Sequence, residues 1–175
     1  FQNAGAAADL SPAVMERTLF HATNSYFIPN VKATAYSCKT NLPPNTAFRG
    51  FGGPQGMFVI ESALAHAAQE LGVSAYQLQK NNLLKNGNEF PYGQIADGVE
   101  LTKIWSEMES KFDIEAVEKE INDFNSSNTD IKKGFSLMPV TFGISFTKTP
   151  MNQARALVHI YTDGSVGVST GAVEM

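Results

Sequence analysis

The sequence predicts an α+β fold, with a helical first part followed by an antiparallel, β-rich second part. Up to about residue 130 the apolar residues recur at helical spacing, and beyond Gly134 they occur in short runs typical of strands. Asp163-Gly164 lies between two of these runs and is the strongest hairpin signal in the chain. We therefore place the main boundary in the polar linker at residues 125–130 and expect two lobes, residues 1–130 and 131–175.

Five helices are predicted in the first lobe, four from a signal at their start and the one at Leu101 from the helical spacing of its apolar residues. They begin near Ser11, Pro54, Ser74, Leu101 and Asp113. Ser and Asp accept hydrogen bonds at helix N-caps, and Pro54 suits a first turn because its missing N–H has no helical partner there. The helix from Pro54 to about residue 71 is the strongest of these predictions, and Gly72 is its expected C-terminal stop.

Strands are predicted from alternation and from β-rich composition. Residues 31–36 alternate between apolar and polar side chains, and residues 135–146 form a β-rich run interrupted by Pro139. Residues 154–161 and 166–170 flank Asp163-Gly164, so we expect them to form the two arms of a hairpin.

Composition excludes several classes of protein. With 175 residues, 43% of them hydrophobic, and a net charge of −4, the chain can build a core but lacks the concentrated positive surface that nucleic acid requires. The longest apolar run after the glycine-rich stretch, residues 57–60, is too short to span a membrane. The single cysteine, Cys38, rules out an internal disulfide and is expected to be a small buried filler.

Both ends of the sequence suggest an excerpt. Position 1 is Phe with no signal-peptide pattern after it, and residues 166–175 form a strand-like run that stops without a turn or a polar tail. We therefore expect the chain to be part of a larger polypeptide.

The glycine-rich stretch Thr46-Ala-Phe-Arg-Gly-Phe-Gly-Gly-Pro-Gln-Gly56 is the most unusual part of the sequence. Its glycines permit positive φ and let backbone N–H groups approach a ligand, and Arg49 adds a permanent forked donor. A turn of this kind before a helix suits an anionic or oxo-bearing ligand. The alternative is a tight turn whose Phe48 and Phe51 fill the core.

Standard cofactor and metal motifs are absent. The stretch lacks the spacing G-x-G-x-x-G, and no P-loop pattern occurs. The three histidines have no spacing that predicts a metal site, and we interpret His66 and His159 as structural.

Four segments together resemble the molybdenum-binding portion of the xanthine dehydrogenase and aldehyde oxidase family, and xanthine dehydrogenase most. They are the stretch 46–56, Cys38-Lys-Thr-Asn-Leu-Pro43, Phe142-Gly-Ile-Ser-Phe-Thr147 and Tyr161-Thr-Asp-Gly-Ser165. The resemblance implies that residues 1–130 are the C-terminal part of a first molybdopterin-binding lobe and that residues 131–175 begin a second. One departure is Gly171-Ala-Val-Glu-Met175, where the family has Gly-Gly-Thr-Glu-Met.

The resemblance also implies an activity for the parent enzyme. Family members of this kind oxidise hypoxanthine and xanthine to urate with oxygen from water, and the electrons pass through 2Fe-2S clusters and FAD to NAD or O2. We accordingly expect a molybdenum-pyranopterin cofactor in a cytoplasmic, purine-catabolising homo-oligomer whose Fe-S and FAD domains lie on other segments or subunits. The catalytic glutamate of the family lies downstream of this chain and is not Glu174, so we expect the isolated chain to be inactive and to bind no cofactor.

Site residues follow from the matching motifs. Arg49 would lie beside the molybdenum oxo ligands without binding the metal, and Phe51 and Gly52 would pack against the cofactor. Phe51 and Phe146 would hold a flat substrate, with Thr147 bonded to one of its carbonyls. Arg17 would lie near the purine oxygen, where it stabilises negative charge that develops on the ring. Arg17 and Arg49 are thus the predicted catalytic residues.

Alternatives remain for the substrate, for the role of the chain and for two of the site residues. The substrate could be an aldehyde or another N-heterocycle such as nicotinate, or the chain could be a structural or assembly segment. Arg17 could be a solvated helix arginine, and Phe146 could be an ordinary core residue.

Overall fold

The computed structural model describes residues 3–45 and 47–171. Its elements follow the order α1 Ser11–Phe20, α2 Gly53–Leu71, α3 Ala75–Asn81, α4 Leu101–Lys111, α5 Ile114–Ser127, a 3-10 turn at Thr149–Met151, β1 Ala156–Ile160 and β2 Val166–Thr170. Five helices followed by a two-stranded antiparallel sheet confirm the predicted α+β class.

The chain forms two compact units, Phe1–Phe142 and Gly143–Met175. The first unit contains all five α-helices, and the second contains the 3-10 turn and the hairpin. The boundary between the two compact units therefore lies after Phe142. The predicted boundary between two molybdopterin-binding lobes, at residues 130 and 131, stays a prediction.

The helix ends agree with the predicted signals except at two serines. Asp113 caps α5 by accepting a hydrogen bond from the Ala116 N–H at 2.9 Å, and Gly72 ends α2 with a left-handed φ of 65°. Ser11 is the first helical residue of α1, while Leu10 occupies the N-cap position. Ser74 is the N-cap residue of α3, but its hydroxyl donates to Glu118 Oε1 at 2.9 Å and makes no capping bond.

Two clusters of buried side chains form the core of the first unit. Tyr26, Leu83 and Trp105 form one, and Leu84, Phe90 and Ala96 form the other. The ring of Tyr76 stacks on Trp105 with the centroids 5.3 Å apart, which joins α3 to α4. Burial of these large side chains supplies the main favourable free energy of folding in this unit.

Two predicted strands and one predicted burial are wrong. Residues 31–36 and 135–146 form no β-strand. Alternating side chains favour an extended backbone, but a strand also needs a neighbouring strand, and neither segment pairs with one among the described residues. Cys38, expected to be buried, is exposed on the first of the long connecting segments.

The hairpin in the second unit is confirmed. β1 and β2 pair antiparallel from Ala156 opposite Thr170 to Ile160 opposite Val166. Gly164 in the connecting turn has a φ of 85°, a conformation that glycine adopts without strain. No helix among residues 3–45 and 47–171 has the length and apolar content needed to cross a membrane.

Candidate functional site

Glycines let α1 and the start of α2 come into direct backbone contact. A Cβ at Gly52 would lie 2.1 Å from the Val14 carbonyl oxygen, and one at Gly56 would lie 2.6 Å from that of Thr18. The Thr18 hydroxyl lies 2.9 Å from the Val14 oxygen and 3.1 Å from the Gly52 oxygen, so it can donate to either. These two glycines therefore serve helix packing, a role that the sequence analysis did not assign to them.

The turn before α2 has three consecutive residues with positive φ. They are Gly50 at 91°, Phe51 at 49° and Gly52 at 102°. Phe51 carries a side chain in a left-handed conformation, which costs on the order of 1–3 kcal/mol and persists only where surrounding contacts enforce it. The Phe51 N–H donates to the Phe48 carbonyl at 2.8 Å, and the Gly53 N–H donates to the Gly50 carbonyl at 2.9 Å.

Donors for a ligand remain at this turn. The N–H groups of Gly50 and Gly52 donate no hydrogen bond to any residue that the structure describes, and the Arg49 side chain is exposed. An exposed arginine directly before a turn with two such N–H groups suits an anionic or oxo-bearing ligand. The alternative with Phe48 in the core is wrong, since Phe48 is 75% exposed, whereas Phe51 is half-buried.

Arg17 is buried near the C-terminal end of α1. Its side chain is only 6% exposed, which contradicts the alternative of a solvated helix arginine. The guanidinium carbon Cζ lies 5.4 Å from the centre of the Phe142 ring, within the range of a cation–π contact. A buried permanent cation is costly, so its environment is built to hold it.

His21 lies one turn after Arg17 and touches the same aromatic ring. Its Nδ1–H donates to the Arg17 carbonyl at 2.9 Å, and its ring centroid is 4.9 Å from that of Phe142. Burial, and to a lesser degree the nearby charge of Arg17, holds the pKa of His21 below its ordinary value, against the opposing effect of the hydrogen bond to the Arg17 carbonyl. The histidine beside Arg17 is therefore neutral at physiological pH and adds no second positive charge.

An extended segment, residues 137–141, carries Phe142 to this place. The side chain of Asn24 acts on it as a neighbouring strand would: its Nδ2 donates to the Pro139 carbonyl at 2.7 Å, and its Oδ1 accepts from the Thr141 N–H at 3.2 Å. The hydroxyls of Ser25 and Thr141 lie 2.7 Å apart, and Gln79 Nε2 donates to the Leu137 carbonyl at 2.7 Å. Side chains thus hold the segment that the sequence predicted as a strand.

Glu61 on α2 organises those side chains. Its Oε1 accepts from Asn24 Nδ2 at 3.0 Å and from the Tyr26 hydroxyl at 2.8 Å, and its Oε2 accepts from Gln79 Nε2 at 2.8 Å. Burial and the neighbouring Glu61 carboxylate raise the pKa of Tyr26, so the phenol stays protonated and donates. The amides of Asn24 and Gln79 each contact both this carboxylate and the extended segment.

Phe146 and Thr147 belong to the second unit, and both are half-buried. The side chain of Asn152 fixes the backbone of Phe146, since its Oδ1 accepts from the Phe146 N–H at 2.7 Å and its Nδ2 donates to the Phe146 carbonyl at 2.8 Å. Their place in a substrate site stays a prediction. Thr46 and residues 172–175, which include Glu174, lie outside the described residues.

The Phe142 ring connects two parts of the candidate site, since it faces the Arg17 guanidinium and packs against Gly53, directly after the glycine-rich turn. Sequence reasoning missed Phe142, and it also missed His21, which contacts this ring, and Asn24, which holds the segment before it. Phe142 opens one of the segments that carry the family resemblance, but nothing in its spacing indicates a contact with Arg17. His21 and Asn24 are isolated polar residues, and no short motif could have identified them.

Comparison with known proteins identifies the family of the chain. Two family models described as molybdopterin cofactor-binding domains match residues 1–83 and 107–175. The xanthine dehydrogenase/oxidase proteins of Felis catus and Gallus gallus are each 46% identical to the chain, and the xanthine dehydrogenase of Oryza sativa is 43% identical. Each of these matches covers the whole chain but only 13% of the relative's length.

Solved structures show the same fold at lower identity. The aldehyde oxidoreductase of Desulfovibrio desulfuricans matches with a TM-score of 0.62 over 71% of this chain and 14% of that chain, at 23% identity. The aldehyde oxidoreductase of Desulfovibrio gigas matches with a TM-score of 0.61 over 95% of this chain and 18% of that chain, at 18% identity. The chain therefore belongs to the molybdopterin cofactor-binding family and is related to the xanthine dehydrogenases over all of its 175 residues.

Proposed function

We propose that the chain is part of a molybdenum hydroxylase that oxidises hypoxanthine and xanthine to urate. In this reaction a ring carbon exchanges its hydrogen for a hydroxyl group derived from water, and two electrons and two protons are released. The relatives that share more than 40% of the residues are named xanthine dehydrogenase, which supports the assignment. The observation that carries it is the buried guanidinium of Arg17.

Arg17 is proposed as a catalytic residue for purines. Addition of a hydroxide-type oxygen nucleophile to a purine ring carbon places negative charge on the ring and its carbonyl oxygens, and the later loss of hydride relieves that charge. A buried guanidinium stabilises that charge more strongly in the transition state than in the ground state, because charge develops there as the reaction proceeds. An aldehyde has no ring carbonyl to carry such charge, so Arg17 favours purines over aldehydes.

The glycine-rich turn is the proposed contact with the cofactor. When bound, the molybdenum-pyranopterin supplies the oxygen-transfer and two-electron chemistry. The exposed Arg49 and the N–H of Gly52 fit its oxygen atoms as donors, with Arg49 acting as a second catalytic residue beside the metal and not as a ligand. Phe51, held at a positive φ beside Gly52, is proposed to contact both the cofactor and the substrate.

Phe146 and Thr147 of the second unit are proposed as further substrate-binding residues. The ring of Phe146 would contact a flat heteroaromatic substrate, and Thr147 would donate a hydrogen bond to a substrate carbonyl. Aromatic pairs of this kind contribute about 0.5–1.5 kcal/mol beyond buried area. The two hydrogen bonds between the Asn152 side chain and the backbone of Phe146 fix that backbone and support this role.

The remaining functions belong to other parts of the proposed parent protein. Its Fe-S and FAD domains or subunits would take the electrons and pass them to NAD or O2, in a cytoplasmic homo-oligomer. Because the chain corresponds to 13% of its relatives' length, we propose that it is inactive alone and binds no cofactor by itself. Metal analysis and a xanthine assay on the purified 175-residue chain test this, and bound molybdenum with urate formation would contradict it.

Arg17→Met in the full-length protein tests the proposed activity. We expect kcat/KM for xanthine to fall about 10²–10³-fold, as for loss of one donor that stabilises transition-state charge, with a much smaller change for a small aldehyde. Arg155→Met, which removes an exposed arginine, is the matched control and should leave kcat/KM for both substrates unchanged. Equal losses on xanthine and aldehyde would refute the purine assignment, and a panel that includes nicotinate would identify the substrate class.

A further inference from the structure

We propose that Phe142 is a positioning residue for Arg17, and that its ring sets the preference for purines over aldehydes by holding the guanidinium in place. This inference rests on the proposed function, because it assigns to Arg17 the role of reading the purine. Neither a motif nor the family resemblance assigns the positioning of Arg17 to Phe142. The assignment rests on the contacts of the Phe142 ring.

The Phe142 ring is the surface against which Arg17 is held. The guanidinium carbon lies 5.4 Å from the ring centre, and the face of an aromatic ring attracts a cation at such distances. Arginine has a long side chain with many rotamers, and a fixed aromatic face removes most of that freedom. A displacement of about 1 Å in a group that acts on the transition state can cost 10²-fold in rate, so a fixed position matters.

The ring itself is confined from two sides. A Cβ at Gly53 would lie 2.4 Å from Phe142 Cε2, so a larger residue at that position would displace the ring. The His21 imidazole contacts the ring at 4.9 Å between centroids, tilted by 41°. The ring therefore connects the arginine of α1 with the first residue of α2, next to the proposed cofactor turn.

The backbone that leads to Phe142 is also fixed. Asn24 bonds to Pro139 and Thr141, and Ser25 bonds to the Thr141 side chain, immediately before Phe142. The ring is 45% exposed in this structure, so a smaller apolar residue there does not leave a closed cavity in the first unit. A change in the ring can thus be separated from a change in the fold.

The test compares four variants of the full-length protein: Arg17→Met, Phe142→Leu, Phe142→Tyr and the double variant Arg17→Met with Phe142→Leu. Leu keeps an apolar side chain but has no aromatic face, whereas Tyr keeps the face. We expect Phe142→Leu to lower the xanthine-to-aldehyde ratio of kcat/KM about 3- to 10-fold, and Phe142→Tyr to retain the wild-type ratio. In the Arg17→Met background, Phe142→Leu should change the ratio no further, because the two residues act as one unit.

A binding measurement gives a readout that does not depend on turnover. Isothermal titration with urate should show weaker binding in Phe142→Leu by a similar factor and unchanged binding in Phe142→Tyr. Phe112→Leu, at an exposed phenylalanine of the first unit, is the matched control and should leave both quantities unchanged. If Phe142→Leu does not accumulate as folded protein, Phe142→Met replaces it with the same expected outcomes.

The outcomes separate the two proposals. If Arg17→Met leaves the substrate ratio unchanged, the proposed purine specificity fails, and the inference fails with it. If Arg17→Met lowers the ratio but Phe142→Leu does not, the inference alone is overturned. It is also overturned if Phe142→Tyr loses as much as Phe142→Leu, or if the effects of the two single variants multiply in the double variant.

Discussion

The two compact units differ in how far their apolar side chains are buried. The first unit, Phe1–Phe142, buries Tyr26, Leu84 and Trp105 in two clusters. In the second unit, Gly143–Met175, every residue of β1 is exposed, and so are the valines of β2. An isolated two-stranded hairpin is only marginally stable in water, so this unit depends on its turn and its backbone ladder.

This difference shows where the stability of the chain resides. The first unit has a core of its own and adds two uncommon contacts, the glycine-mediated approach of α1 to α2 and the polar network around Glu61. Disruption of either contact should therefore have a large effect, whereas changes in the hairpin should remain local. The following predictions test this contrast, beginning with the largest expected effect.

Gly52→Ala should destabilise the chain by about 3–5 kcal/mol, since a Cβ there meets the Val14 carbonyl oxygen at 2.1 Å in a residue with a φ of 102°. Urea unfolding followed by circular dichroism measures the change. The control is Gly72→Ala, where φ is 65° but no atom lies within 4 Å, so only about 1 kcal/mol is expected. If the free energy of unfolding falls by the same amount in both variants, the close contact between α1 and α2 is not the reason that position 52 requires glycine.

Glu61→Leu should destabilise the chain by about 2–4 kcal/mol, because the donors of Asn24, Tyr26 and Gln79 lose a charged acceptor in a largely buried network. The same urea unfolding experiment measures it. Glu70→Leu, at an exposed carboxylate on the same helix, is the matched control. A loss no greater than that of Glu70→Leu would mean that the network does not hold the extended segment.

His21 should make the stability of the first unit depend on pH. Since burial lowers the folded-state pKa of His21 below its ordinary value of 6.5, the unfolded chain binds the proton more readily. The contribution of neutral His21 to the free energy of unfolding is therefore present above pH 6.5 and is lost as the pH falls below that value. Thermal unfolding between pH 5 and 8 should show this slope in the wild type and a flatter one in His21→Gln.

Asp163→Ala should have the smallest and most local effect. The carboxylate accepts from the Ser165 N–H at 2.9 Å and from its hydroxyl at 2.7 Å, and these bonds hold the pKa of Asp163 below its usual value. The turn is therefore stabilised above the ordinary pKa of an aspartate and loses this support as the pH falls. Hydrogen exchange should show faster exchange of β1 and β2 amides in the variant, with the midpoint of urea unfolding of the first unit unchanged.

The helices could be predicted from the sequence because their signals are local. Asp113 and Gly72 act within one turn of the helix that each one limits. The prediction of a strand at residues 135–146 was wrong because its cause is not local. The pattern indicates an extended backbone, but it does not reveal which groups bind that backbone. The binding groups are the side chains of Asn24 and Gln79, far away in the sequence.

The candidate site divides in the same manner. Arg49 and Gly52 lie in the glycine-rich stretch, and the family resemblance was enough to single out these two residues and Arg17. The contact between Arg17 and Phe142 spans the whole first unit, and only the fold brings these residues together. Cys38 was misplaced because burial was inferred from residue type, while its connecting segment has no core to enter.

Asn24 has a consequence for how the protein is made. Its side chain binds the Pro139 carbonyl across 115 residues of sequence, and its own φ of 45° holds it in a conformation that suits few residues other than asparagine and glycine. At a translation rate of roughly 5–20 residues per second, the ribosome delivers this partner on the order of 10 s after Asn24 itself. During that interval the nascent chain lacks the residues that Asn24 binds, so the polar network of the first unit is completed only after residue 141 has been synthesised.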